Sequence, residues 1–191
     1  MKFRLSIICV LLSAASIGCS GPLVGVNVEV VDEKTLLERQ ILGSYDELSK
    51  ELVLVASVRG VDEQGKIKPL PYLPPGKEKA LRAAQSREFN RDDVEIFKKD
   101  GCAGENKKGL LTILECPERK KDSKYAGLLD QITKEENRDR LVILSRVIET
   151  SEEMTEKDLP KLQRVYAQMN QDAAAQGEMI QREDGSWIAK N

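Results

Sequence analysis

The stretch Tyr125–Thr150, YAGLLDQITKEENRDRLVILSRVIET, carries the longest helical pattern in the chain. Leu128, Leu129 and Ile132 begin an apolar stripe at three- and four-residue spacing. Leu141, Leu144, Val147 and Ile148 resume it, with Val142 and Ile143 alongside. Between the two halves lies Thr133-Lys134-Glu135-Glu136-Asn137-Arg138-Asp139-Arg140, which is polar throughout. The helix either spans the body with this stretch exposed or breaks there. Glu136 and Arg140 are spaced for an i,i+4 ion pair, worth about 0.2–0.5 kcal/mol on a solvated helix. A helix of this length points to a mainly α body. A short N-terminal strand and a C-terminal β-hairpin complete the expected fold.

Toward the C-terminus, Thr155, Asp158 and Pro160 announce the next helix, because proline is tolerated in a first turn. Leu162, Val165, Tyr166, Met169 and Ala173 follow at helical spacing, and Gly177 closes the segment. Asp184-Gly185 between Met179-Ile180 and Trp187-Ile188 is a hairpin signal. Trp187 is expected to pack on the last helix, the alternative being an exposed recognition residue.

Toward the N-terminus, Glu118–Lys124 reads as a charged linker and Leu110–Leu114 as a short strand or extended run. Gly101–Gly109 reads as a loop. Asn90 is placed to cap a helix with Asp92, Asp93 and Glu95 near its positive end and Lys98 and Lys99 near its negative end. Lys77–Glu88 precedes it as a separate basic amphipathic helix. The connector 61–76 holds Gly65, Pro69, Pro71, Pro74 and Pro75, which rule out regular structure across it. It either docks in an aromatic groove or packs down through Leu70, Tyr72 and Leu73. Ser44–Glu47 has the form of a capping box. It separates two helices, Glu33–Leu42 behind Asp32 and Asp46–Arg59, which make a hairpin or one helix kinked at Gly43.

Residues 1–18 have the layout of an export signal: Lys2 and Arg4, then an apolar run through Leu12, then small residues ending at Gly18. The apolar run is too short to span a bilayer of about 30 Å. Gly18 directly before Cys19 has the shape of a lipoprotein cleavage site, so lipidation of Cys19 is expected. An ordinary signal peptidase cut with a plain thiol at Cys19 is the other reading. Acyl chains there would hold the body to a membrane, and Ser20, rather than Asp, favours the periplasmic face of the outer membrane. Residues 19–31 then form a lipidated N-terminus and a tether or strand, with Val24, Val26, Val28 and Val30 alternating. Residues 32–191 make a single mostly helical domain.

Without Lys2 and Arg4 the chain carries 28 basic and 32 acidic residues, so nothing favours nucleic acid. It has no histidine, which removes the commonest general base and zinc ligand. No phosphate loop, nucleophile elbow or calcium loop is present. The expectation is a non-catalytic protein with no metal and no cofactor. Cys9 leaves with the signal, Cys19 takes lipid, and Cys102 and Cys116 remain. An even pair in an oxidising compartment reads as a disulfide, with two free thiols as the other possibility.

Region 125–191 contains Leu129-Asp130-Gln131-Ile132, Asn137-Arg138-Asp139-Arg140, and the ending Gly177-Glu178-Met179-Ile180-Gln181 with Gly185-Ser186-Trp187-Ile188-Ala189-Lys190. In these residues it resembles the YdbL-type family of bacterial envelope proteins, in its longer lipoprotein subgroup. The resemblance implies a periplasmic accessory, chaperone-like rather than catalytic, serving envelope assembly or intermembrane lipid transport. It implies an AsmA-like protein or a small lipoprotein as partner. This chain departs from the short members by its own anchor and a longer N-terminal part. Asn137, Arg138, Arg140 and Trp187 are the candidate partner contacts; helix solvation and core packing are their other reading. A periplasmic carrier of a small apolar ligand or lipid is the alternative function.

Overall fold

Five helices and a small mixed sheet account for the regular structure of the described residues, which in this computed structural model are 32–58, 64 and 73–191. The expected export signal, Cys19, the expected strand or tether at 19–31 and most of the connector 61–76 lie outside them. Val31–Asn191 forms one compact unit. The helices are α1 (Glu33–Val58), α2 (Pro75–Lys99), α3 (Pro117–Lys121), α4 (Ser123–Thr150) and α5 (Leu159–Ala173). The strands are β1 (Ala103–Glu105), β2 (Leu111–Ile113), β3 (Met179–Gln181) and β4 (Trp187–Ala189).

The polar stretch does not break α4, which runs unbroken for 28 residues from Asp122, whose side chain accepts from Lys124 N–H at the N-terminus. Its apolar halves enter three clusters. Leu129 and Ile132 pack with Val94, Phe97, Ala103 and Leu111. Ile143 packs with Leu48, Ala80, Leu81 and Ala83. Leu144, Val147 and Ile148 pack with Leu37, Ile41, Leu162, Val165 and Tyr166. Helix α4 is therefore the axis that α1, α2 and α5 surround. Burying each such side chain stabilises by about 1.5–3 kcal/mol.

Of the two readings of the N-terminal helices, the structure takes one long helix rather than a hairpin, and the helix break expected before Asn90 is absent. Helix α1 is continuous through Gly43 and Ser44–Glu47, so the capping box is mid-helix sequence. Leu37, Ile41 and Leu48 fall on one face, and burial of that face (none is more than 7% exposed) outweighs the local break signal. Helix α2 likewise joins the two helices expected at 77–88 and beyond Asn90. Asn90 is not a cap. It is buried, and its amide donates to Glu135 Oε2 at 3.1 Å. The helix also begins at Pro75, inside the expected connector, where proline needs no partner for its missing N–H. Arg87 and Asn90 of α2 meet Glu136 and Glu135 of α4, while Phe97 meets Tyr125, so the two helices run antiparallel.

Helix α2 ends at Lys99, and the chain turns at Gly101, whose φ of 68° suits glycine. Cys102 N–H bonds back to Phe97 O at 2.9 Å and Gly101 N–H to Lys98 O, which turns the chain into β1. Residues 101–109, read as a loop, thus contain a strand. The C-terminal hairpin forms as expected around Gly185, with Arg182 N–H bonded to Ser186 O. It is not isolated: β3 adds parallel to β1, and the sheet order is β2-β1-β3-β4. The expected charged linker contains α3. The Thr155–Asp158 box forms fully, in a short 3-10 turn (Glu156–Asp158) that leads into α5.

Cys102 and Cys116 form a disulfide across the β1–β2 hairpin. Closing a loop of this size stabilises by about 3 kcal/mol in the chain-entropy model. The Cys102→Ser, Cys116→Ser double variant is expected to lose about 2–4 kcal/mol in urea denaturation; an unchanged midpoint would show that the bridge is energetically idle.

Candidate functional site

Half of the polar octet of α4 faces inward, while Lys134 and Arg138 are exposed. Thr133, Glu136, Asp139 and Arg140 are all at most 5% exposed. Arg140 grips Glu105 of β1 with both terminal nitrogens, Nη1 to Oε2 at 2.6 Å and Nη2 to Oε1 at 3.0 Å. Its Nε donates to Glu136 Oε1 at 2.6 Å, and Nη1 also reaches Gly109 O at 3.2 Å. Glu136 Oε1 in turn accepts from Arg87 Nε at 3.0 Å. Arg87 Nη1 donates to the Tyr45 hydroxyl at 2.7 Å, and Tyr45 donates to the Tyr166 hydroxyl at 2.9 Å. At the other end Lys98 sits 3.6 Å from Glu105 and 2.8 Å from Glu178. The guanidinium groups of Arg87 and Arg140 also lie over the rings of Tyr45 and Tyr166.

Opposite charges alternate along this chain, so the buried carboxylates stay ionised. Burial pushes Glu105 up, but Arg140, with help from Lys98, outweighs it and holds the carboxyl below its ordinary range. Burial acts the same way on Glu136, and Arg87 and Arg140 reverse it. Arg140 stays protonated, its charge held against burial by Glu105 first and then by Tyr166 and Glu136. Burial, then Tyr166, raises the Tyr45 phenol well above its ordinary value, so it remains a neutral donor. With every charge matched by a neighbour, the arrangement is an internal clamp.

The four residues singled out in the sequence therefore part company. Arg140 is 3% exposed and belongs to the clamp, which corrects its assignment as a partner contact. Asn137 is turned to the sheet: its Oδ1 accepts from Leu111 N–H at 2.8 Å and its Nδ2 donates to Leu111 O at 2.9 Å. Arg138 keeps a solvent face but pairs with Asp139, a buried carboxylate whose Oδ2 has no partner. Trp187 is half-buried. Its ring lies against Gly104 of β1; a Cβ at Gly104 would come within 2.6 Å of the ring. Glu105, Arg87, Lys98, Tyr45 and Tyr166 were not signalled as a group, because their spacing follows the tertiary fold. Only the i,i+4 pair Glu136–Arg140 was visible, and burial makes it far more consequential than a surface pair.

The described surface also carries an open groove of about 430 Å³ between α1 and α2. Tyr45, Leu52, Val53 and Ala84 supply its apolar lining, and Arg87, Glu88 and Arg91 its charged rim. Val53 is 71% exposed, and Phe89 of α2 is 86% exposed. A second open groove, of about 560 Å³, lies between the ends of α2 and α5 and is lined by Lys98, Lys99, Glu95 and Glu178. No described helix is long and apolar enough to cross a membrane.

No family model, no curated protein and no solved structure matches the chain.

Removing one member of a buried ion cluster costs about 3–5 kcal/mol. Arg140→Leu is expected to lose that much in urea denaturation, whereas Lys134→Ala, on the exposed face, stays within about 0.5 kcal/mol. A second expectation concerns pH. Glu105 and Glu136 have lowered folded-state values, so their contribution is fully present above the unfolded carboxyl value of about 4.3. It disappears as pH falls through the folded values. Urea midpoints between pH 7 and pH 3 should fall steeply, and less steeply in Glu105→Gln; parallel curves would refute the assignment.

Proposed function

We propose that this chain is a lipid-anchored, non-catalytic binding protein of the bacterial envelope, held by Cys19 to the periplasmic face of the outer membrane. In this reading it acts as an accessory or chaperone-like factor in envelope assembly or intermembrane lipid transport, and takes an envelope protein as partner. An AsmA-like protein or a small lipoprotein is the partner that the resemblance of region 125–191 suggests.

The observation that carries the reading is the contrast between interior and surface. The buried ionic groups are consumed by one another, and the grooves at the described surface are open and of mixed polarity. An open groove with an apolar floor and a charged rim suits a polypeptide surface, which offers both kinds of contact. A carrier of an apolar ligand calls instead for an enclosed apolar cavity. The disulfide supports an oxidising compartment, consistent with the export signal. Val53 and the exposed face of Arg138 are the contacts this reading favours, with Trp187 at the sheet.

The test is crosslinking of the lipidated full chain in intact cells, followed by recovery from detergent-solubilised envelope. One envelope protein should be recovered reproducibly, and its yield should drop severalfold in Val53→Asp, a change at an exposed side chain that leaves the clamp alone. Phospholipid without a reproducible protein would overturn the proposal in favour of the carrier.

A further inference from the structure

The two edges of the sheet are treated differently. At the β2 edge, the Asn137 amide closes Leu111 by satisfying both its N–H and its C=O. A side chain there stands where a neighbouring strand would otherwise bond. At the β4 edge no described group does this. Arg182 N–H bonds to Ser186 O and Lys190 N–H to Glu178 O, so Ser186, Ile188 and Lys190 turn their backbone groups toward β3. Antiparallel pairing alternates. The N–H and C=O groups of Trp187 and Ala189 therefore point outward, away from the sheet.

We infer that β4 is a homodimer edge: two copies of this chain pair antiparallel through Trp187–Ala189, about a two-fold axis at Ile188, to make one continuous sheet of two protomers. Three features favour a second copy over any other extended strand. The outward groups are self-complementary, because Trp187 of one copy falls opposite Ala189 of the other and the exchange repeats across the axis, giving about four hydrogen bonds. The side chains fit as well: a large residue meets a small one at both flanking positions, so the Trp187 ring keeps its place on Gly104. At the axis, the half-buried Ile188 of each copy meets its equivalent in a non-hydrogen-bonded pair, the closer kind, which covers apolar surface on both. The edge is also short, three residues, and ends where Lys190 is tied to the α5 carbonyls of Gln171 and Asp172. Such a contact is weak in dilute solution, and anchoring both copies in one membrane raises their effective concentration. The inference takes the membrane anchor from the proposed function and is otherwise independent of the accessory role.

Single-cysteine crosslinking of the full chain in intact cells tests it. In Ile188→Cys the two Cα atoms would lie about 4.5 Å apart across the axis, within disulfide range. In Ser186→Cys each cysteine would face Lys190 of the other copy, with its own equivalent out of reach. On mild oxidation, Ile188→Cys should give at least about tenfold more dimer than Ser186→Cys. Adding Ala189→Pro, which removes an outward donor and leaves the β3 ladder intact, should abolish the band. No dimer from Ile188→Cys, equal dimer from both single variants, or a band that persists with Ala189→Pro would each overturn the inference.

Discussion

The Arg140 guanidinium, held between Glu105 and Glu136, is the interaction on which the rest of the molecule depends. It is the point where the central helix meets both the sheet and, through Glu136 and Arg87, the second helix. Tyr45 and Tyr166 bring in α1 and α5, and Lys98 and Glu178 bring in the approach to β3. Every major layer contributes a polar group to one connected chain. Apolar clusters lie on both sides of this seam along α4, and they supply the bulk of the driving force. The seam adds direction. Hydrophobic packing alone tolerates a shifted helix, whereas a bidentate guanidinium–carboxylate contact tolerates very little displacement.

The sequence was legible where local chemistry decides the outcome. The apolar stripes of Tyr125–Thr150 and Leu162–Met169, the Thr155–Asp158 box and the Asp184-Gly185 turn all act within a few residues, and they form. Ser44–Glu47 and Asn90 illustrate the opposite case. Each has the chemistry of a helix start, yet each lies in a helix whose buried face continues past it, and tertiary burial overrides a local preference of about 1 kcal/mol. The octet 133–140 was misplaced for a related reason. Eight polar residues in a row look like a solvated face, and nothing local tells them that Arg87, Glu105 and Leu111 will arrive from elsewhere in the chain.

The same point bears on how binding residues are recognised. Asn137 and Arg140 stand out in the sequence because polar residues recur there in a distinctive order. Their structural work is internal: one closes a strand edge and the other neutralises two buried carboxylates. A charged or amide side chain can be indispensable to a fold without ever touching a partner. Surface features such as Val53, Phe89 and the outer rim of β4 carry little sequence signature, because an exposed apolar side chain looks the same in one dimension as a buried one.

The hydrogen bond between Tyr45 and Tyr166 joins positions 121 residues apart. Helix α1 leads the domain along the chain, yet α4 and α5, which cover part of its inner face, are the last helices to be made. A chain made from its N-terminus presents α1 well before that cover arrives. Loop closure over such a distance is slow compared with local helix formation. The early half of this domain therefore spends its first moments with much of its apolar stripe uncovered, and productive collapse waits on the C-terminal third.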